Sequence, residues 1–258
     1  MKTLVLGAGA FGTALGQILT ENGHKAKYYD PVLGVSLKDC LDDVEILVLV
    51  APSFALSDLL PKLPHDLPMI VATKGILDTR IFEDFTDVMA LSGPAFADEL
   101  KAHQPSTLTT TDERVKELFG TDYLSFDYTT DIKGVFLCGA LKNVYALLAG
   151  LRKLERDTPD YEKNLTVFAE EMKALLSANG AEARTVELAC GIGDLRLTCG
   201  LPSRNFEFGT ILADNPHAKP EKTVEGLSAL RKISEGAIKV PDSAINMKEL
   251  IERSKEWA

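Results

Sequence analysis

Gly7, Gly9 and Gly12 spell G-x-G-x-x-G directly behind the apolar run KTLVL (2–6) and directly ahead of the helical pattern TALGQILTENG. Such a run needs one glycine to turn tightly, one to let a ligand approach the backbone, and one to let helix and strand pack closely. Gly23 ends the helical pattern, and KAKYYD follows as a second strand that finishes at Asp30. Strand, glycine turn, helix and strand in this order predict a βαβ unit. Its turn takes a dinucleotide pyrophosphate at the helix start, and the contact segment is Gly7, Gly9, Ala10, Phe11 and Gly12. The alternative is a βαβ unit of the same shape with no ligand.

Further apolar runs at VEILVLV (44–50), MIVATKG (69–75) and VMALSGPAF (88–96) show no polar alternation. Strands of that kind are buried on both faces, as in a parallel sheet. STLTTT (106–111) is expected to add another strand. From Asp131 the apolar spacing turns helical, through IKGVFLCGALKNVYALLAGL, then YEKNLTVFAEEMKALLSANG, then shorter helices. The expected architecture is α/β, a Rossmann-like doubly wound parallel sheet followed by an all-α C-terminal domain. Residues 1–130 form the dinucleotide-binding domain and residues 131–258 the helical substrate and catalytic domain. DNPHAKPEK (214–222) reads as an exposed loop.

A formal net charge of −10 argues against a nucleic-acid partner, because a phosphate backbone needs a basic face. No uninterrupted apolar run reaches the ~18 residues of a membrane span. The N-terminal run ends in a glycine turn without a cleavage region, so it reads as a buried strand rather than a signal peptide. Cys40, Cys138, Cys190 and Cys199 show no C-x-x-C spacing, and the four histidines are scattered. Neither a metal site nor a disulfide framework is expected, and reduced thiols fit a cytoplasmic protein.

The segment GIGDLRLTCGLPSRN (191–205) crowds Asp194, Thr198 and the triplet Ser203-Arg204-Asn205 ahead of the helical run NFEFGTILAD. Ser203 is a good N-cap, so the free amides of the helix start face what Arg204 faces. Dipole, amides and guanidinium converging on one point make a phosphate site. A capped surface helix that carries an arginine is the plainer alternative. Lys142 and Asn143 interrupt the apolar pattern GALKNVYALLAGL. Periodicity alone favours a lysine that snorkels to solvent; a desolvated lysine poised for proton transfer is the other reading.

In chain order, GAGAFGTAL (7–15), APS (51–53), ATKG (72–75), SGPAFADEL (92–100), GALKNV (139–144), GIGDLRLTC (191–199), SRN (203–205) and VEG (224–226) resemble the NAD(P)-dependent glycerol-3-phosphate dehydrogenases of compact bacterial type. The resemblance implies interconversion of dihydroxyacetone phosphate and sn-glycerol 3-phosphate, which supplies the glycerol phosphate of phospholipids. It implies that Lys142 is the catalytic lysine that exchanges a proton with the C2 oxygen. Lys74 becomes a second active-site lysine, in reach of substrate and cofactor. Asn143, Asp194 and Thr198 hold the substrate and orient Lys142, with Asp194 counted in the catalytic set. Ser203, Arg204 and Asn205 match the phosphate-binding triplet, and Gly93 lines the substrate. Ala97, Arg204, Val224 and Glu225 match cofactor contacts.

Asp30 ends the second strand where an acid accepts the ribose hydroxyls of NAD, so NAD is the preferred cofactor and NADP the second option. No arginine precedes Arg80, and Lys38 is among the few nearby cations. The implied partner is a small phosphorylated three-carbon substrate, with no nucleic acid and no membrane span; a homodimer is compatible with the sequence. The chain departs from its relatives in several places. It is short for the family, lacks a long insertion between Asp30 and Val44, and has a C-terminal helical region that stops early. Ala95 stands where a hydroxyl residue is common, and Val167-Phe168 replaces an Arg-Gly pair. The alternatives are a related two-domain ketoacid reductase, ketopantoate-reductase-like, and a non-catalytic dinucleotide-sensing module.

Overall fold

The uninterrupted apolar runs become the inner strands of one seven-stranded sheet, in a computed structural model that describes residues 1–75 and 78–257. In chain order, the first unit contains β1 (Lys2–Leu6), α1 (Ala10–Glu21), β2 (Lys25–Tyr29), α2 (Leu37–Cys40), β3 (Ile46–Leu49), α3 (Leu56–Leu59) and β4 (Met69–Val71). It continues with β5 (Val88–Ser92), α4 (Ala97–Lys101), β6 (Ser106–Thr110), α5 (Glu113–Phe119) and β7 (Leu124–Tyr128). The sheet order is β2-β1-β3-β4-β5-β6-β7. The strands from β1 to β5 pair in parallel, so the βαβ reading of the N-terminus holds. Val5, Leu15, Ile18, Ile70, Met89, Leu108 and Phe119 are the heart of its core.

Three details differ from the expected sheet. β6 runs antiparallel to β5, because only the five-residue α4 lies between them and no long crossover returns the chain to the same end. The run MIVATKG is a strand only over Met69–Val71. Beyond it the Ala72 N–H still donates to the Leu49 carbonyl at 2.9 Å, and the Thr73 hydroxyl donates to the Ala51 carbonyl at 2.9 Å. The polar LSFDY becomes β7, parallel to β6, at the sheet edge.

Most of the second unit runs from Lys133 onward. Its helices are α6 (Ile132–Leu151), α7 (Pro159–Ala178), α8 (Asp194–Thr198), α9 (Arg204–Asp214), α10 (Glu225–Ser234) and α11 (Ile245–Ser254). Helix α6 is buried from Gly134 to Gly150 and is the core of this unit. By length and composition it could cross a membrane, although Lys142 and Asn143 break its apolar run. Tyr145 on α6 stacks on Phe168 of α7 with centroids 4.9 Å apart. Helices α6 and α9 cross backbone to backbone. A Cβ on Gly150 would lie 2.0 Å from the Phe206 carbonyl oxygen, and one on Gly209 would lie 2.2 Å from that of Leu147.

Candidate active site

In the first unit the glycine turn forms a cradle that side chains would fill. A Cβ on Gly12 would sit 2.0 Å from the Gly7 oxygen. Gly7 itself has φ of +116°, and a Cβ there would meet the Ala51 nitrogen at 2.9 Å. Helix α1 opens at Gly9 with no side-chain cap and no acid in its first turn, which suits an anion at that end. These residues fit a dinucleotide.

Asp30 lies just past β2 and is fastened to this turn. One carboxylate oxygen accepts from the Ala8 N–H at 3.0 Å and the other from the Val32 N–H at 3.1 Å. Gly7 and Asp30 line a cavity of about 490 Å³ together with Tyr29, Phe54, Asp58 and Lys62. Sequence reasoning passed over the last three, which lie exposed on α3 and on the turns that flank it. The signal there was faint: Phe54, an aromatic at 70% exposure, has no burial to justify it. Half-buried Lys74 holds its ammonium 5.3 Å over the Phe11 ring, joining two residues singled out separately in the sequence. Gly93 follows β5 and Ala97 opens α4; neither lines the cavity that holds Asp30.

In the second unit Lys142 does not snorkel. Its side chain is 3% exposed, and its ammonium donates to Asp194 Oδ1 at 2.6 Å and to Thr198 Oγ1 at 3.2 Å. Asp194 begins α8 behind a wide helical turn at Ala189–Gly193, and Thr198, one turn further on, also donates to Asp194 Oδ1 at 3.2 Å. Asp194 Oδ2 is buried without a hydrogen-bond partner among the described residues. An unmet buried acceptor of this kind costs about 1–3 kcal/mol unless something donates to it. Burial pushes the adjacent Cys199 thiol far above its ordinary value, so it stays a neutral neighbour of the pair.

Ser203 caps α9 as expected, accepting from the Phe206 N–H at 3.5 Å. Arg204 is exposed and lines a cavity of about 360 Å³ with Lys219, Lys222, Glu207 and Val224. Val224 and Glu225 sit at the start of α10. Asn205 turns inward and bonds to Asn143 at 2.9 Å. The nine second-unit residues named from sequence thus fall into a buried ionic cluster, an amide pair and the starts of two helices.

The family models described as the NAD-dependent glycerol-3-phosphate dehydrogenase N-terminus and C-terminus match residues 32–117 and 131–251. A glycerol-3-phosphate dehydrogenase (NAD(P)+) of Leptospira biflexa is 32% identical, over 92% of this chain and 85% of its own. A protein of the same name from Citrifermentans bemidjiense is 30% identical over 95% and 87%. The crystal structure of a Coxiella burnetii glycerol-3-phosphate dehydrogenase superimposes with a TM-score of 0.79, covering 99% of this chain and 98% of that one at 22% identity. At that identity the likeness speaks for the fold.

Proposed function

The chain belongs to the NAD-dependent glycerol-3-phosphate dehydrogenase family, and on that premise we propose that it interconverts dihydroxyacetone phosphate and sn-glycerol 3-phosphate with a nicotinamide cofactor. The observation that carries the proposal is the buried Lys142–Asp194–Thr198 cluster. An ammonium removed from water inside an apolar helix is costly to keep, and proton transfer gives a reason to keep it.

The glycine turn, Phe11 and Asp30 would hold the dinucleotide in the first unit, with Lys74 and Ala97 as further contacts; in the second unit Val224 and Glu225 match cofactor contacts of the family. Bound in this way, the nicotinamide supplies the hydride. Reduction of a ketone puts negative charge on its oxygen, and Lys142 donates the proton that neutralises it. Asp194 and Thr198 aim the Lys142 ammonium, and the unspent Asp194 Oδ2 accepts a substrate hydroxyl. Lys74 and Gly93 of the first unit match the family's substrate-binding positions; a Cβ on Gly93 would lie 2.9 Å from the Leu108 Cα of β6. Ser203 and Arg204 anchor the phosphate at the start of α9, so binding energy at a remote group positions the reacting carbon. A ketoacid reductase has no use for that anchor, and a non-catalytic sensor has no use for a buried lysine. Reduced thiols at Cys40, Cys138, Cys190 and Cys199 support a cytoplasmic location.

The direct test follows NADH absorbance with dihydroxyacetone phosphate, unphosphorylated dihydroxyacetone and ketopantoate. Oxidation of NADH by the phosphorylated ketone alone is the expected result. Equal rates with and without the phosphate would remove the reading.

A further inference from the structure

Asn205 occupies an unusual place between three helices of the second unit. Its Oδ1 accepts from the backbone N–H of Gly226 at 2.8 Å, and its Nδ2 donates to Asn143 Oδ1 at 2.9 Å. Asn143 in turn donates from Nδ2 to the Gly139 carbonyl at 3.1 Å. Side-chain amides are ambiguous in isolation, but both ends of this relay are backbone groups of fixed polarity. The Gly226 N–H can only donate and the Gly139 carbonyl can only accept, so each amide has one orientation that satisfies the chain.

Gly226 is the second residue of α10, whose N-cap position is held by Val224, a side chain that cannot accept a hydrogen bond. Asn205 therefore supplies from α9 the capping acceptor that α10 lacks. The helices also touch directly. A Cβ on Gly226 would come within 2.4 Å of the Asn143 carbonyl oxygen, so the start of α10 rests against the α6 turn that carries Lys142. One amide thus joins the start of α10, with Val224 and Glu225, to the start of α9, with Arg204. It also joins both to the residue next to Lys142.

We infer that Asn205 is a positioning residue that couples cofactor binding at the start of α10 to phosphate binding at the start of α9. This rests on the dehydrogenase reading above and goes beyond it, since a phosphate ligand alone would have no reason to cap a different helix. A cofactor that settles the α10 start orders the same amide that holds the α9 start, so each ligand favours the other, and by linkage the two effects are equal.

The test measures NADH affinity of the whole chain by fluorescence, with and without saturating sn-glycerol 3-phosphate, a pair that cannot react together. Their ratio is the coupling factor. In the native protein the expected factor is about fivefold or more, the lower end of typical allosteric coupling. Asn205→Ala should bring it to within about twofold of one, and so should Asn143→Ala, which breaks the other half of the link and leaves Arg204 in place. Should Asn205→Ala not fold, Asn143→Ala reads the same ratio. A native factor of one overturns the inference. So does an Asn205→Ala protein that binds sn-glycerol 3-phosphate more weakly but keeps the native factor, which would make Asn205 a plain ligand. A native protein that binds NADH but no sn-glycerol 3-phosphate refutes the functional reading instead, and the inference with it.

Discussion

Replacing Asp30 with asparagine tests the charge to which the proposed function assigns cofactor choice. The 2′-phosphate of NADP carries about −1.5 to −2 charges near neutral pH. Placed about 4 Å from the Asp30 carboxylate, it meets a repulsion of ~1–2 kcal/mol even with the dielectric of bulk water. The carboxylate cannot move aside freely, because the Ala8 and Val32 amides hold its two oxygens at 3.0 and 3.1 Å. Breaking either bond costs about 0.5–1.5 kcal/mol, comparable to the repulsion it would relieve. Losing the ribose hydroxyl bonds adds about 1 kcal/mol. The sum of ~2–3 kcal/mol corresponds to an NADH preference of about 30- to 150-fold at ~1.4 kcal/mol per decade. Lys62 on the cavity wall does little to offset this, since Asp58 lines the same cavity. Asp30→Asn removes the charge and keeps one of the two acceptors for the Ala8 and Val32 amides, so the preference should fall by about 5- to 30-fold. The assay is kcat/KM with each cofactor for both proteins. Equal use of NADPH by the native chain, or an unchanged ratio in Asp30→Asn, would refute the reasoning.

Lys142→Ala should lower kcat by about 10²–10⁴-fold, the usual share of a positioned proton donor. It should also cost about 3–5 kcal/mol of stability in urea, because the buried Asp194 charge loses its partner. Lys142→Met combined with Asp194→Leu should recover most of that stability but none of the turnover; a Lys142→Ala protein with normal rates would exclude the lysine from the chemistry. Arg204→Ala should lose roughly 2–4 kcal/mol of kcat/KM on dihydroxyacetone phosphate, and a variant equal to native would remove Arg204 from the anchor. Hydrogen bonding to Arg114 holds the Asp112 carboxyl below its ordinary value while Asp112 also caps α5. A carboxyl lowered in the folded state stabilises above its unfolded value of about 3.9 and loses that effect as pH falls through the folded one. The urea midpoint should therefore drop below about pH 4, more shallowly in Asp112→Asn; identical profiles would contradict this.

Much of the sheet was legible because buried parallel strands cannot alternate, and β1, β3 and β5 announce themselves by apolar runs alone. β7 did not, since LSFDY lies at an edge where half its side chains stay polar. The reversed direction of β6 was equally hidden: nothing in STLTTT records which end of the sheet the chain enters. At the site, Ser203 was readable as a cap because capping is local chemistry. The state of Lys142 was not, because its partner Asp194 is 52 residues further along and helical periodicity knows only near neighbours. The inward turn of Asn205 depends on α10, and on a valine where a capping side chain is expected. Phe54, Asp58 and Lys62 escaped notice because a cavity is a property of folded surfaces, and their stretch of chain carries no motif.

The crossing at Gly150 and Gly209 bears on which substrates this unit can accept. With backbone against backbone, the separation of α6 from α9 is a hard-sphere distance, insensitive to rotamer changes or repacking. Lys142 belongs to one of these helices and Arg204 to the other, so under the proposed function the span from proton donor to phosphate anchor works as a fixed gauge. A methyl group at either glycine would wedge the gauge open, and a three-carbon phosphate would then no longer reach both ends. Chain-length selectivity, under the proposed function, rests on two glycines that face only backbone.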